Sequence, residues 1–499
     1  MSDIHYPPIA VHPEQPKCFL FRGKPLVLVT ATEHYGAVMN RPFRFERYLA
    51  DAAAKGITLT RLFVLFRELQ NPINPYSTCK PDSPDYLAPF CRTGPGVACD
   101  GQPVFDLEQW NPEFFTRLDR FLTLAAEYGI IVEITLLSNA YAPHIWALNP
   151  LHPANNLDGM PNIDWPDFMS RRHESLFTRQ CAHVRKIVEA TNRFDNIIYE
   201  ICNEPGGLAA PGAPTLEEVN DWQMALAGLI RTTEAALPQQ HLIAGQEAFA
   251  YTWPDESRRS GPDVFQFADQ SFAALDFDVV NMHPLSNMVY RGEHYNLGAF
   301  MQGQLCLSRF RQYCLDLYPE RKPLNLDEDN AASQYKDEFG WTIHRKRAWM
   351  ALFCGAHYDV IDFSILNYCE TGSPASQHGL RAWISYLARF IQSVDLVHAH
   401  PRPELLISHP EQTCGVVLAV DEQEYYLYLA DARERYAADA GEPINGAVVL
   451  ALPNGSFTVA CYSPTTGEYS PALPISGCAA TEIRLPTFKQ DLVLRIKRG

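Results

Sequence analysis

No stretch of the sequence approaches the roughly 18 consecutive apolar residues that a helix needs to cross a bilayer, so a membrane span is not expected. The opening Met1-Ser2-Asp3-Ile4-His5-Tyr6-Pro7-Pro8 has neither the basic nor the apolar region of a signal peptide. The expected location is therefore cytoplasmic, or secreted or periplasmic where a signal peptide has already been removed. Basic residues are in short supply, with 41 Lys plus Arg against 58 Asp plus Glu and a net charge of −17. Nothing in that balance offers a footprint for a phosphate backbone, which excludes nucleic acid as an expected partner. The 13 cysteines include no CxxC spacing, and several, such as Cys202, Cys354 and Cys461, lie in apolar stretches. They read as reduced core residues and not as a disulfide framework. A Gly-x-Gly-x-x-Gly turn after the first strand, a His-Glu-x-x-His pair and a Gly-x-Ser-x-Gly elbow are all missing, so dinucleotide, zinc and serine-nucleophile chemistry are disfavoured. No cofactor and no metal are expected.

What is present is an ordinary globular composition, 46% hydrophobic and 12% aromatic, over 499 residues. That length exceeds one compact core unless the core is a barrel. From about residue 25 to 395 a pattern recurs: a short β-rich apolar run, a polar turn, then a stretch of helical period. The runs are 25–30, 58–65, 130–137, 196–202, 241–245, 278–282, 323–326 and 360–366. Predicted helices cover 44–55, 112–128, 174–191, 216–236, 305–317, 342–354 and 379–394, with a weaker one at 264–275 between the fifth and sixth runs. Gly56 and Gly129 each fall just past a helix and before a strand, as helix C-caps do. Alternating strands and helices imply parallel βαβ units, and eight of them fit a closed (β/α)8 barrel, a TIM barrel of the α/β class.

A hairpin turning at Phe21-Arg22-Gly23-Lys24-Pro25 is expected to cover the barrel floor. Two long segments, 70–102 after the second strand and 140–172 after the third, fall on the face where such barrels carry their sites. Past residue 400 the texture changes to short alternating runs with Pro, Asn and Gly turns, which predicts a small antiparallel β-sandwich. The expected division is a barrel with its hairpin over residues 1–398 and a sandwich over 403–499. The oligomeric state is left open.

The sharpest chemical signal is Asn196-Ile197-Ile198-Tyr199-Glu200-Ile201-Cys202-Asn203-Glu204-Pro205, an apolar strand that ends abruptly in Asn-Glu-Pro. Here the chain resembles the large clan of retaining glycoside hydrolases typified by glycoside hydrolase family 5, whose fourth strand ends in that tripeptide. The resemblance implies that Glu204 is the general acid/base and that Asn203 binds a sugar hydroxyl. It also implies a carbohydrate substrate, a β-glycosidic bond and a covalent glycosyl-enzyme intermediate. Retaining hydrolysis needs a second carboxyl group about 5–5.5 Å from the first. In the clan it ends strand seven, which here reads Leu324-Asn325-Leu326-Asp327-Glu328-Asp329. Glu328 is the expected nucleophile, with Asp327 and Asp329 as competitors if the strand boundary lies one residue away.

The same resemblance implies that Arg61 on strand two bonds the nucleophile and that His283, ending strand six, lines the sugar subsite. Glu33, His34 and Tyr35 after strand one, Glu247 after strand five and Asn139 after strand three are candidate sugar-binding groups. Tyr76, Tyr86, Phe90, Trp110, Tyr141, Trp146, Trp165 and Trp253 offer rings that could stack on pyranose faces, Trp146 foremost. Two positions depart from the clan: Ser138-Asn139 stands where a His is common, and Phe363 to Tyr368 contains no Trp. The C-terminal segments Ala451 to Gly455 and Tyr462 to Glu468 resemble the small sandwich that follows such barrels, of the type labelled collagen-binding. The alternative function on the same fold is a catalytically silent carbohydrate-binding barrel.

Overall fold

The protein is described by a computed structural model over residues 6–65, 84–208, 212–252, 264–267, 275–286, 288–298 and 301–499. The chain is an α/β protein, a (β/α)8 barrel followed by a β-sandwich. The barrel strands are Val29–Thr32, Leu59–Phe63, Ile131–Ser138, Ile197–Asn203, Leu242–Gly245, Val279–Asn281, Leu324–Leu326 and His357–Ile361. From the second strand to the eighth each pairs in parallel with the next, and the eighth pairs with the first, placing Asp359 beside Thr30. Strands one and two close the ring through Thr58, whose amide donates to the Val29 carbonyl (3.3 Å) and whose hydroxyl accepts from the Val29 amide (2.9 Å).

Around the ring stand helices Phe45–Ala54, Pro112–Tyr128, Glu174–Thr191, Leu216–Glu234, Leu307–Leu317, Glu338–Phe353 and Leu380–Ile391. Local sequence sets their ends. Asn111 accepts the Glu113 amide ahead of Pro112, and Gly129 closes that helix at φ +70°, a conformation costly for any residue with a Cβ. Thr215 and Glu218 form a reciprocal capping box. The N-terminal hairpin, Phe19–Phe21 with Lys24–Leu26, plugs the barrel floor, where Ile9, Phe19 and Phe21 pack on Leu59, Ile131, Ile198 and Val279.

Three expectations are corrected. The weak helix at 264–275 is instead a strand over Val264–Phe267, paired antiparallel with Phe249–Thr252; the rest of that segment up to residue 274 lies outside the described residues. The β-rich sequence Val-Phe-Gln-Phe follows strand propensity once a partner edge is present. Phe249–Thr252 also pairs in parallel with Gly206–Leu208, so a small sheet grows from the segments that follow strands four and five. The second correction concerns residues 84–102, where no strand was expected. Phe90–Val97 pairs with Pro103–Trp110 as an irregular hairpin, its strand pattern hidden by Gly94-Pro95-Gly96. Residues 66–83 of that loop, with Tyr76, lie outside the described residues, as does Trp253. Third, the eighth strand begins at His357, earlier than the run 360–366; the buried Phe363 and Ile365 belong to the turn beyond it.

The sandwich stacks a six-stranded sheet on a three-stranded one. The larger runs Ala399–Pro401, Thr413–Val420, Glu424–Asp431, Asp491–Arg498, Gly455–Tyr462 and Leu473–Gly477; the smaller runs Leu406–Ser408, Ala447–Leu450 and Thr481–Arg484. Leu427, Leu429, Leu494 and Ile496 fill the space between the sheets, while Val416, Tyr426, Tyr428 and Val493 face the barrel and join its core. Helix Glu338–Phe353 is trapped between the two units. Its Arg345 makes a buried fork with Asp491 (2.8 and 2.9 Å), Lys346 donates to the Asp431 carbonyl (2.8 Å) and Trp349 stacks on Tyr428. The twelve cysteines among the described residues are unpaired; Cys202 and Cys354 are buried as core residues, whereas Cys461 is half-buried and Cys99 and Cys478 are exposed. Among those residues no helix is long and apolar enough to cross a membrane.

Candidate active site

Barrel interiors are ordinarily filled by branched aliphatic side chains. Here the inward positions above the hydrophobic floor are polar: Arg61 on strand two, Glu133 and Thr135 on three, Glu200 on four, Asn281 on six, Asn325 and Asp327 on seven and Asp359 on eight are all buried. Arg61 is the hub. Its Nε donates to Glu200 Oε2 (2.9 Å), Nη1 to Glu328 Oε2 (3.0 Å), and Nη2 to Asn203 Oδ1 (3.0 Å), with Asp327 Oδ2 also 3.0 Å from Nη2. Tyr35 lies behind the guanidinium, ring centre 4.8 Å away and stacked on Phe63. Burial opposes the charge on Arg61, but Glu200, Asp327 and Glu328 outweigh it and hold the group firmly cationic.

Glu204 and Glu328 project from the C-terminal ends of strands four and seven onto one spot. An oxygen of each, together with a ring nitrogen of His283, lie within 4.8 Å of one another. Their surroundings differ. Glu328, with 2% side-chain exposure, accepts from Arg61 and from Asn330 Nδ2. Glu204, with 12%, meets His283 Nδ1 at Oε1 (2.9 Å) and the Tyr141 hydroxyl at Oε2. His283 Nε2 lies 3.6 Å from Asp327 Oδ2. Burial favours a neutral ring, yet Asp327, Glu328 and the bond to Glu204 hold His283 well above the usual histidine range. Asp327 is held low despite burial, by Arg61 and His283.

Glu204 sits at φ +49°, Tyr141 at +57° and Tyr35 at +59°. Left-handed backbone at non-glycine residues costs on the order of 1–3 kcal/mol each and clusters where function needs it. Asn139 holds two of them: its side chain donates to the Glu204 carbonyl (2.9 Å) and accepts the Tyr141 amide (2.8 Å).

The remaining expected residues fall as follows. Glu33 accepts the amides of Gly36 (3.0 Å) and Ala37 (3.1 Å), which ties it to the turn after strand one. His34 packs edge-on against Tyr35 and Phe363. Glu247 is buried after strand five, in electrostatic reach of Tyr313. Trp146 is corrected: its ring is 3% exposed, its Nε1 donates to the Ile163 carbonyl (2.8 Å) and it packs on Phe168, so it is a core residue of the third loop and presents no free face to a sugar. Phe90 and Tyr86 are likewise buried. Asp329 points away from the site, to Arg347 (2.9 Å) and Tyr358 (2.8 Å) on the helix side.

Tyr141 is expected from sequence only as a ring that could stack on a sugar, and its hydroxyl instead meets Glu204 and Asn203. Glu133, Glu200 and Asp359 are absent from the residues expected at the site. The other three each place one acid inside an apolar strand, which demands a partner in the barrel and could have been matched to Arg61. Glu133 accepts from Asn281 Nδ2 and Asn325 Nδ2 (2.8 Å). Two trios could chelate an ion by distance, Glu204–His283–Glu328 and Glu133–Glu200–Asp327. Protein cations already sit among them: Arg61 meets Glu200 and Asp327 of the second trio and Glu328 of the first, and His283 meets Glu204.

Asp359 stands apart. Both its oxygens are buried without a hydrogen-bond partner among the described residues. Burial, then Glu328, Asp327 and Glu133 against the pull of Arg61, push it well above the usual carboxylate range. An acid whose folded-state pKa is raised contributes stability that is complete below its unfolded value near 4 and is lost as pH rises toward the folded one. Asp359→Asn removes that loss. The stability of the variant relative to the parent, and with it the difference in melting temperature, is expected to climb as pH rises above about 4, by up to about 1.4 kcal/mol of free energy per pH unit. Parallel pH–melting curves for parent and variant would contradict the assignment.

No family model matches the sequence, and no curated protein matches it. Among solved structures, a glycoside hydrolase family 5 protein from Bacteroides vulgatus is similar, with TM-score 0.57 and 13% identity over 99% of this chain and 95% of that one. A glycoside hydrolase with TM-score 0.58 and 11% identity covers 99% and 97%. The endo-β-1,4-mannanase from Thermotoga petrophila gives 0.50 and 12% over 94% and 98%. At these identities the likeness is one of fold, spanning barrel and sandwich together.

Proposed function

We propose that the protein is a retaining β-glycoside hydrolase acting on a carbohydrate, with Glu204 as acid/base and Glu328 as nucleophile. The observation that carries this reading is the convergence of the two carboxyl groups, with oxygens within 4.8 Å of each other. That fits the separation of about 5–5.5 Å used for double displacement better than the roughly 6.5–9.5 Å of an inverting site, which holds a water between its carboxyl groups. The unequal environments support the division of roles. Arg61 and Asn330 both donate to Glu328, as suits a carboxylate that attacks the anomeric carbon, while Glu204, more exposed and joined to His283, is placed to protonate the leaving oxygen. In the second step Glu204 takes a proton from water and the glycosyl–Glu328 ester is cleaved. No cofactor enters either step. The glycoside hydrolase neighbours point the same way. The barrel unit, residues 1–398, would carry the chemistry and the sandwich, 403–499, would brace the helices behind strand seven.

A panel of aryl β-glycosides, followed by proton NMR of the first product anomer, tests the reading. Retention of the β configuration is expected; an α product from a β substrate would replace double displacement with inversion.

A further inference from the structure

The hydroxyl of Tyr141 ends a chain of hydrogen bonds whose direction is fixed at its start. Arg61 can only donate, so Asn203 Oδ1, 3.0 Å from Nη2, is an acceptor and the orientation of that amide is settled. Asn203 Nδ2 must then donate, and it does so to the Tyr141 oxygen (2.7 Å) and to Ser138 Oγ (3.3 Å). With its oxygen accepting, the Tyr141 hydroxyl hydrogen goes to Glu204 Oε2. The head of this chain, Arg61, also donates directly to Glu328. One buried cation therefore addresses both carboxyl groups, one directly and the other through Asn203 and Tyr141. Chains of this kind strengthen each other in a low-dielectric interior.

We propose that Tyr141 is a positioning residue that keeps Glu204 Oε2 an acceptor throughout the reaction, so that the proton for the leaving group is confined to the other oxygen, Oε1, where His283 Nδ1 stands at 2.9 Å. This rests on the assignment of Glu204 as acid/base. Oε1 and Nδ1 are in direct hydrogen-bond contact, so a proton can pass between them without leaving the site. During glycosyl transfer the Oε1–H bond breaks as the O–H bond of the leaving group forms, and the C–O bonding electrons pass to that oxygen. Oε2 never carries the proton. The strained φ of +57° at Tyr141 and the grip of Asn139 on both Tyr141 and Glu204 keep the hydroxyl in place.

The test is carbon-13 NMR of the full-length protein labelled at glutamate side-chain carboxyls, with the Glu204 signal assigned by its loss in Glu204→Gln. Tyr141→Phe removes a donor to the ionised form, so the Glu204 titration is expected to move up by roughly half a pH unit or more, a threefold change in acid constant. Ser138→Ala, which removes only the side branch on Asn203, is expected to leave it in place. On aryl glycosides Tyr141→Phe should move the basic limb of kcat/KM upward by the same amount. Substrates with poor leaving groups should be slowed at least several-fold more than activated ones. An unchanged carboxyl titration in Tyr141→Phe overturns the proposal. A shifted titration in a protein whose parent hydrolyses no glycoside sustains the relay and instead overturns the hydrolase reading. A merely structural role for Tyr141 would lower melting temperature and slow all substrates alike, with no movement of either pH curve.

Discussion

Glu328→Ala is expected to lower turnover of an activated aryl β-glycoside by about five orders of magnitude, the scale of losing a covalent nucleophile. The protein should remain folded, since the side chain makes its contacts to Arg61 and Asn330 at the mouth of the barrel and Arg61 retains Glu200, Asp327 and Asn203. Truncation to alanine opens space on the face of the sugar where the carboxylate attacked. Azide added to this variant should enter there and release a glycosyl azide of α configuration from a β substrate, because one displacement inverts where two retain. Asp327 and Asp329 give the contrast. Asp329 bonds Arg347 and Tyr358 behind the strand, and Asp327 is fully buried between Arg61 and His283. Neither can reach the anomeric carbon, so alanine at either position should not be rescued by azide. Activity near the parent level in Glu328→Ala would remove Glu328 from the mechanism.

The barrel was legible in the sequence because its strands and helices obey local rules. Apolar runs of the right length, capping residues such as Asn111 and Thr215, and glycines past the helix ends fixed seven helices and eight strands to within a few residues. Asn203-Glu204 and Glu328 were legible because an apolar strand that stops abruptly in acid or amide has few structural reasons to do so. The misses share a different cause. Trp146 follows strand three on the active face, yet whether a ring faces ligand or core is decided by the packing of Ile163 and Phe168, which are distant in sequence. Tyr141 reaches Glu204 only because its backbone adopts φ +57°, a choice made by Asn139 and by no propensity of tyrosine. The start of strand eight was obscured by Asp359 itself, since a bare acid in a buried strand is what sequence patterning advises against. That same departure, repeated at Arg61, Glu133 and Glu200, sets this interior apart from the branched aliphatic filling of an ordinary barrel.

The second large effect concerns stability as much as catalysis. Arg61→Met removes the cation from Glu200, Asp327 and Glu328, all of which are buried. Breaking a buried pair from one side costs about 3–5 kcal/mol, because the partner is left desolvated and unpaired. Lysine is not a substitute, for a point charge cannot present the fork that meets both Glu200 oxygens while also reaching Glu328 and Asn203. Arg61→Lys is therefore expected to recover only part of the loss. The decisive comparison adds Glu200→Gln to Arg61→Met. Glu200 shares two bonds with the arginine and is pushed above the usual carboxylate range by burial even with the arginine present. Neutralising it relieves one of the carboxylates that the loss of Arg61 leaves buried and unpaired. The double variant should be more stable than Arg61→Met alone by roughly 1 kcal/mol or more, a coupling of the size seen within shared ionic networks. It should still be inactive, because Glu328 and the Asn203–Tyr141 chain have lost their common donor. Additive destabilisation, read from denaturant midpoints of the four proteins in the cycle, would mean that Arg61 acts on Glu328 alone. The polar interior would then be inert filling, and not the element that joins the two carboxyl groups into one site.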